Sequence, residues 1–178
     1  MTAIFIDLTT VLHRTVSNGY GDLVTRPTGQ AVRTGVEEDL AFLDTTTVAI
    51  IDFTSVRCLD FSCADEIVGK LLLTHGNTRY FLLHGVTEIH GEAIHAVLER
   101  YGIAVVAQQR DGEVQVLGPV SDAIRKTVSI LTREGTITVE DVAGHLAIPA
   151  AHARETLDEV IERRLALTHA DDRVSSLA

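Results

Sequence analysis

With 178 residues and 46% hydrophobic side chains the chain can build a sizeable core, but it has no tryptophan, so that core must rest mainly on Val, Ile, Leu and Ala. The formal net charge of −10 argues against non-specific binding to phosphate backbones, which needs Lys and Arg. No run of about eighteen apolar residues occurs and the start "MTAIFIDLTTVLHR" lacks a basic leader, so a soluble, cytoplasmic chain with no membrane partner is expected.

The first half alternates strand-like and helix-like segments. Residues 28–43 place Val32, Val36, Leu40 and Leu43 on one helical face, with Pro27 just ahead as a start signal. "VAIIDF" (48–53) is a short apolar run that reads as a buried strand. Ala64, Ile67, Val68, Leu71 and Leu72 then form a second helical stripe, stopped at Gly76. "YFLL" (80–83) reads as strand, 88–102 as helix and 103–108 as strand. An Asp-Gly turn in "RDGEVQVLG" (110–118) predicts a terminal hairpin. Such alternation implies an α/β fold with a mostly parallel sheet covered by helices.

Gly118-Pro119 breaks this pattern, and two domains are expected, 1–118 and 119–178. The second is mainly helical. Ser121 and Gly135 bound one helix; Thr138, with Asp141 three residues on, predicts a capping box for the next; 148–167 carries a third. Two weak strand candidates flank Asp171-Asp172. This order, with a tight turn at Ala147-Ile148-Pro149 and a wing at 168–176, resembles a winged helix-turn-helix. That resemblance implies a candidate recognition helix, with His152 and Arg154 as the DNA-contact candidates. Residues 119–178 carry seven basic against ten acidic side chains, a net −3, and the same fold also serves protein contacts.

Most motifs for chemistry fail on inspection. Asp7 in "IDLTTV" stands where dehalogenase-type phosphatases have their first acid, but the second is Thr9, which removes the mechanism. Gly29 and Gly35 lack nucleotide-loop spacing. His90 and His95 are five apart, which on a helix directs them about 140° apart, and His84 adds no ligand spacing. Cys58 and Cys63 have no second pair, and both are expected to pack as small apolar groups, although a helix start at Cys63 could lower its thiol pKa. Ser62 lacks a nucleophile elbow. No catalytic residue, metal site or cofactor is expected.

The densest stretch is "DFTSVRCLDFSCADEI" (52–67). Ser62 and Asp65 have capping-box spacing, and Asp60, Asp65 and Glu66 suit the positive end of a helix. The longer segment "VAIIDFTSVRCLDFSCADEIVGKLLL" resembles the core motif of STAS domains, the anti-sigma factor antagonist type, through Asp52, Phe53, Thr54, Val56, Leu59, Asp60 and Ser62. Ser62, Ala64, Asp65, Glu66 and Ile67 also match a STAS-like domain of unknown function. The resemblance covers roughly residues 25–108. It implies a non-enzymatic bacterial regulator whose partner is an anti-sigma factor or a kinase-like protein. It also implies a regulatory serine at Ser62 and a docking face around Asp52, Asp60, Phe61, Ser62, Cys63 and Asp65. Phe61 and Cys63 depart from the motif, which has serine and glycine there. The alternative reading is a DNA-binding transcriptional regulator whose STAS-like domain senses or dimerises; homo-oligomerisation is left open.

Overall fold

The computed structural model describes residues 2–16, 21–169 and 173–178. The chain opens with β1 (Ala3–Asp7), α1 (Leu8–Thr15), β2 (Asp22–Leu23) and α2 (Arg26–Leu40), followed by β3 (Val48–Asp52) and β4 (Cys58–Leu59). A continuous helical segment follows: α3 (Phe61–Ala64), a π-helical stretch (Asp65–Lys70) and α4 (Leu71–His75). Then come β5 (Tyr80–Val86), α5 (Glu88–Tyr101), β6 (Val105–Gln109) and β7 (Val114–Leu117). Strand order in the main sheet is β1-β3-β5-β6-β7, parallel except for the β6–β7 hairpin. The fold is therefore α/β with a mostly parallel central sheet. Among the described residues no helix is long and apolar enough to cross a membrane.

Period-two alternation divides the sheet between two apolar cores. Ile6, Ala49, Ile51, Phe81, Leu83, Val105 and Ala107 face α1, α2, the 61–75 helical segment and α5. Val48, Ile50, Leu82, Val106 and Val116 face the other way and join a second core. That core continues into α6 (Asp122–Glu134), α7 (Val139–Leu146) and α8 (Ala150–Glu162), through Ile124, Val128, Leu131, Val142, Leu157 and Val160. A mostly parallel sheet needs both faces covered, and residues beyond Pro119 supply the second cover. Arg164 fastens the contact: its Nε donates to the Asn77 carbonyl at 2.9 Å and its guanidinium lies 4.9 Å from the Tyr80 ring centre.

The C-terminal residues also form a small antiparallel sheet in the order β8-β10-β9, from β8 (Thr136–Ile137), β9 (Leu167–Thr168) and β10 (Val174–Ser175). Its caps follow from spacing: Ser121 caps α6, and Thr138 with Asp141 forms the expected capping box on α7. Ala147 ends α7 in the left-handed region (φ 51°). Asp171-Asp172, in the expected wing, lie outside the described residues.

Local differences from the sequence reading have physical causes. The first residues form β1, and Asp7 caps α1 by accepting from the Thr9 amide (2.8 Å) and the Thr10 hydroxyl (2.9 Å). Gly69 lets the 61–75 helical segment press on α5: a Cβ there would lie 2.6 Å from Val97 Cγ1 and 2.8 Å from the Tyr101 ring. Gly69→Ala is accordingly expected to destabilise the protein by about 1–3 kcal/mol in urea unfolding; an unchanged midpoint would show that this helix pair is loosely packed.

Candidate functional site

The site is built where two loops meet above the first face of the sheet. Residues 22–23 and 58–59 form a short parallel ladder, β2 with β4, closed by Arg57 pairing with Asp22 at 2.8 Å. The ladder delivers Thr25 and Asp60 to each other. Asp60 is the convergence point: its carboxylate accepts from the Thr25 amide (3.1 Å), the Cys63 amide (2.7 Å) and the Ser62 hydroxyl (2.8 Å). Burial pushes this carboxyl up, but those donors outweigh it and hold the group below its ordinary range.

This corrects the expected capping box. The helix starts at Phe61, two residues earlier than a Ser62 cap requires, so Asp60 is the cap and Ser62 lies within the first turn. An aspartate outcompetes the serine because its charged carboxylate can accept from several donors at once. Asp65 and Glu66 also differ from expectation. They lie too far along the helix to serve its positive end, and both are buried.

Those two carboxylates are met by cations from separate elements. Arg26 donates to Asp65 at 2.7 Å and to Glu66 at 2.6 Å. Lys70 also pairs with Glu66, and Arg33 Nε lies 3.4 Å from its other oxygen. Tyr101 donates its hydroxyl to Asp65 at 2.7 Å. Burial alone would raise both carboxyls. For Asp65 the hydrogen bonds from Arg26 and Tyr101 reverse this, and for Glu66 those from Lys70 and Arg26 do, so both are held below the ordinary carboxylate range. The π-helical stretch spans this cluster, consistent with a helix that re-aims side chains where a special contact is made.

Thr25 is the strained residue of the site. Its φ is +79° and ψ is 137°, a conformation that side chains beyond glycine rarely adopt. Three main-chain contacts hold it there: its amide donates to Asp60, and its carbonyl accepts from the Cys63 thiol and from the Gly29 amide, each at 3.1 Å. Cys63 is buried as expected, but its thiol is not activated. Burial, together with the nearby Asp60 charge, pushes it up to about 12, which overrides the helix-start effect. Cys58, expected to pack, is exposed.

The remaining candidates separate in space. Phe61 is 41% exposed, with the Arg100 guanidinium 5.6 Å from its ring centre. Ser62 is half-buried beside it. Asp52 instead belongs to the opposite face, in a cross-strand row Asp7–Asp52–His84–Gln108, where it accepts from the Thr54 amide at 2.9 Å. His90 is buried in the first turn of α5, and burial lowers its pKa. His152 and Arg154 are exposed on α8. Glu155, Asp158 and Glu162 of the same helix line a cleft of about 770 Å³ against Leu73, Phe81 and Ile103. Among the described residues no cluster of three or more His, Cys, Asp or Glu could hold a metal ion. No family model matches the chain, and no curated protein matches it significantly.

Reasoning along the sequence missed Arg26, Arg33, Lys70 and Tyr101, because their partners lie up to 40 residues away. Only Lys70 carried a local signal, the i,i+4 spacing from Glu66.

Two outcomes test this geometry. Asp60→Ala should cost about 1–2 kcal/mol and clearly more than Ser62→Ala, since three donors lose their acceptor in the first case, whereas in the second Asp60 loses one of its three donors; equal losses in urea unfolding would remove Asp60 from its central place. The pH dependence follows from the depressed carboxyls. Their stabilisation is complete above the ordinary values of about 3.9 for Asp and 4.3 for Glu, and is lost as pH falls through the lower folded-state values. Glu66→Gln should cost about 3 kcal/mol at pH 7 and flatten the acid limb of a stability–pH curve; an acid limb as steep as wild type would contradict the assignment.

Proposed function

We propose that this chain is a non-enzymatic regulatory protein that works by protein contact, with a STAS-like domain over 1–118, a winged-helix-like domain over 119–178, and a switch at Ser62. The observation that carries the reading is the Ser62 hydroxyl bonded at 2.8 Å to the carboxylate that also holds Thr25 and Cys63. A phosphate on Ser62 would remove that hydroxyl donor and set a dianion against Asp60. The repulsion would draw Asp60 off the amides of Thr25 and Cys63, and strained Thr25 would relax. The docking face, with Phe61 at its exposed centre, would change shape as well as charge. Burial and the Asp60 charge push the Cys63 thiol up to about 12, and the one carboxylate on the Ser62 hydroxyl is already engaged by the Thr25 and Cys63 amides, which supports a non-catalytic reading.

The sheet order, with crossover helices on its first face, supports the STAS-like resemblance. The order α6-β8-α7-α8-β9-β10 supports the winged-helix one. The DNA-binding alternative draws on the exposure of His152 and Arg154. Glu155, Asp158 and Glu162 on the same helix weigh against it, because they would oppose DNA phosphates.

The test is affinity capture from the native cell with wild type, Ser62→Ala and Ser62→Asp, plus mass spectrometry of Ser62. The reading expects phosphate on Ser62 and a partner, an anti-sigma factor or kinase-like protein, held by one variant and lost by the other, with all three folded. Identical capture and an unmodified serine would sink it. Low-salt binding to genomic DNA that falls steeply with added salt and with Arg154→Ala would favour the alternative.

A further inference from the structure

The two edges of the main sheet are treated differently. At the end of β7 outward groups are occupied: Arg125 donates to the Val116 carbonyl and, at 2.8 Å, to the Gly118 carbonyl just beyond the strand, while His95 Nδ1 accepts from the Gly118 amide at 3.0 Å. Among the described residues nothing comparable guards β1. Its parallel ladder to β3 uses alternate residues, beginning with the Thr2 carbonyl accepting from Val48 at 3.1 Å, so Ile4 and Ile6 bond inward. The main-chain groups of Ala3, Phe5 and Asp7 therefore point away from the sheet, and no described residue hydrogen-bonds to them along that edge. The strand reads "AIFID", with no proline, lysine or bulge of the kind that protects edges. Ala3 is exposed and Phe5 is 59% exposed. The Phe5 ring meets His84 edge-on at 5.6 Å, folded back over its own sheet, which leaves the edge itself clear.

We infer that β1 pairs antiparallel with β1 of a second copy of this chain, joining two sheets into one. The outward residues are symmetric about Phe5, so a two-fold axis there pairs both strands in the same way. The Phe5 amide and carbonyl pair with those of Phe5 in the second copy, and the Asp7 amide donates to the Ala3 carbonyl in both directions. The Asp7 carbonyl is left to the first turn of α1, whose cap Asp7 is. The same register sets each Asp7 beside an alanine and keeps the two carboxylates at opposite ends of the seam. An incoming strand has to be uncharged opposite Asp7 and able to lie flat beside Phe5, and this strand is both. A five-residue edge buries less than the area of a standard stable interface, so the dimer is concentration-dependent.

Sedimentation of the full chain over a wide concentration series tests this, with Phe5→Pro and Phe5→Ala. Proline removes only the outward amide, which the β3 ladder does not use, and edge strands tolerate it. Wild type should dimerise, Phe5→Pro should weaken the dimer at least about tenfold, and Phe5→Ala, which keeps the amide, should stay within about threefold. Hydrogen exchange on wild type gives a reading independent of any variant: the Phe5 and Asp7 amides should gain protection as concentration rises. A wild-type monomer throughout, a Phe5→Pro dimer as tight as wild type, or amides whose protection ignores concentration would overturn the inference. So would a foreign extended segment protecting the same amides while the chain stays monomeric.

Discussion

Two adjacent carboxylates, Asp65 and Glu66, are buried near the start of one helix, and the surrounding structure is arranged to meet their charge. Removing such groups from water costs several kcal/mol each unless cations and donors replace it. Arg26 and Arg33 come from α2, Lys70 from the next helical turn and the Tyr101 hydroxyl from α5. The requirement therefore fixes the start of α2 against the 61–75 helical segment, and that segment against α5. Placing α2 in turn places Thr25, which immediately precedes it, within reach of Asp60. The contact proposed as a switch rests on a frame held by a different set of charges.

That separation gives the proposed switch its physical sense. The frame is centred on two buried carboxylates, cross-linked by ion pairs to partly exposed cations. The Asp60 contacts are short-range, partly solvent-facing, and oppose a strained backbone at Thr25. A charge added at Ser62 would meet the second set first. The departures at Phe61 and Cys63 fit the same picture: Phe61 offers an exposed ring under Arg100, and Cys63 ties the Thr25 carbonyl from below through its thiol. Both side chains have structural reasons to stand where they do.

Much of the architecture was legible because apolar period carries it. "VAIIDF", "YFLL" and the stripe from Ala64 to Leu72 have one reading each, and the capping box at Thr138 needs only local spacing. The site was less legible. Asp60 and Ser62 are both good caps two residues apart, and the choice between them depends on Thr25, a residue brought in by the β2–β4 ladder that is too short to leave a pattern. The acids at 65 and 66 read as surface charges because their cations are distant in sequence. β1 was missed because five residues beside a chain start resemble a simple apolar run. Asp52 was grouped with Ser62 through the resemblance of the 48–73 segment to the STAS motif, although strand alternation sends it to the opposite face.

The most direct test of the central claim is residue-resolved amide hydrogen exchange on the chain with and without phosphate on Ser62. The account expects the amides of Thr25 and Cys63 to lose protection together on phosphorylation, while those of the 61–75 helical segment beyond Asp65 and of α5 keep theirs. Unchanged protection at Thr25 and Cys63, or a loss spread evenly through the frame, would contradict it.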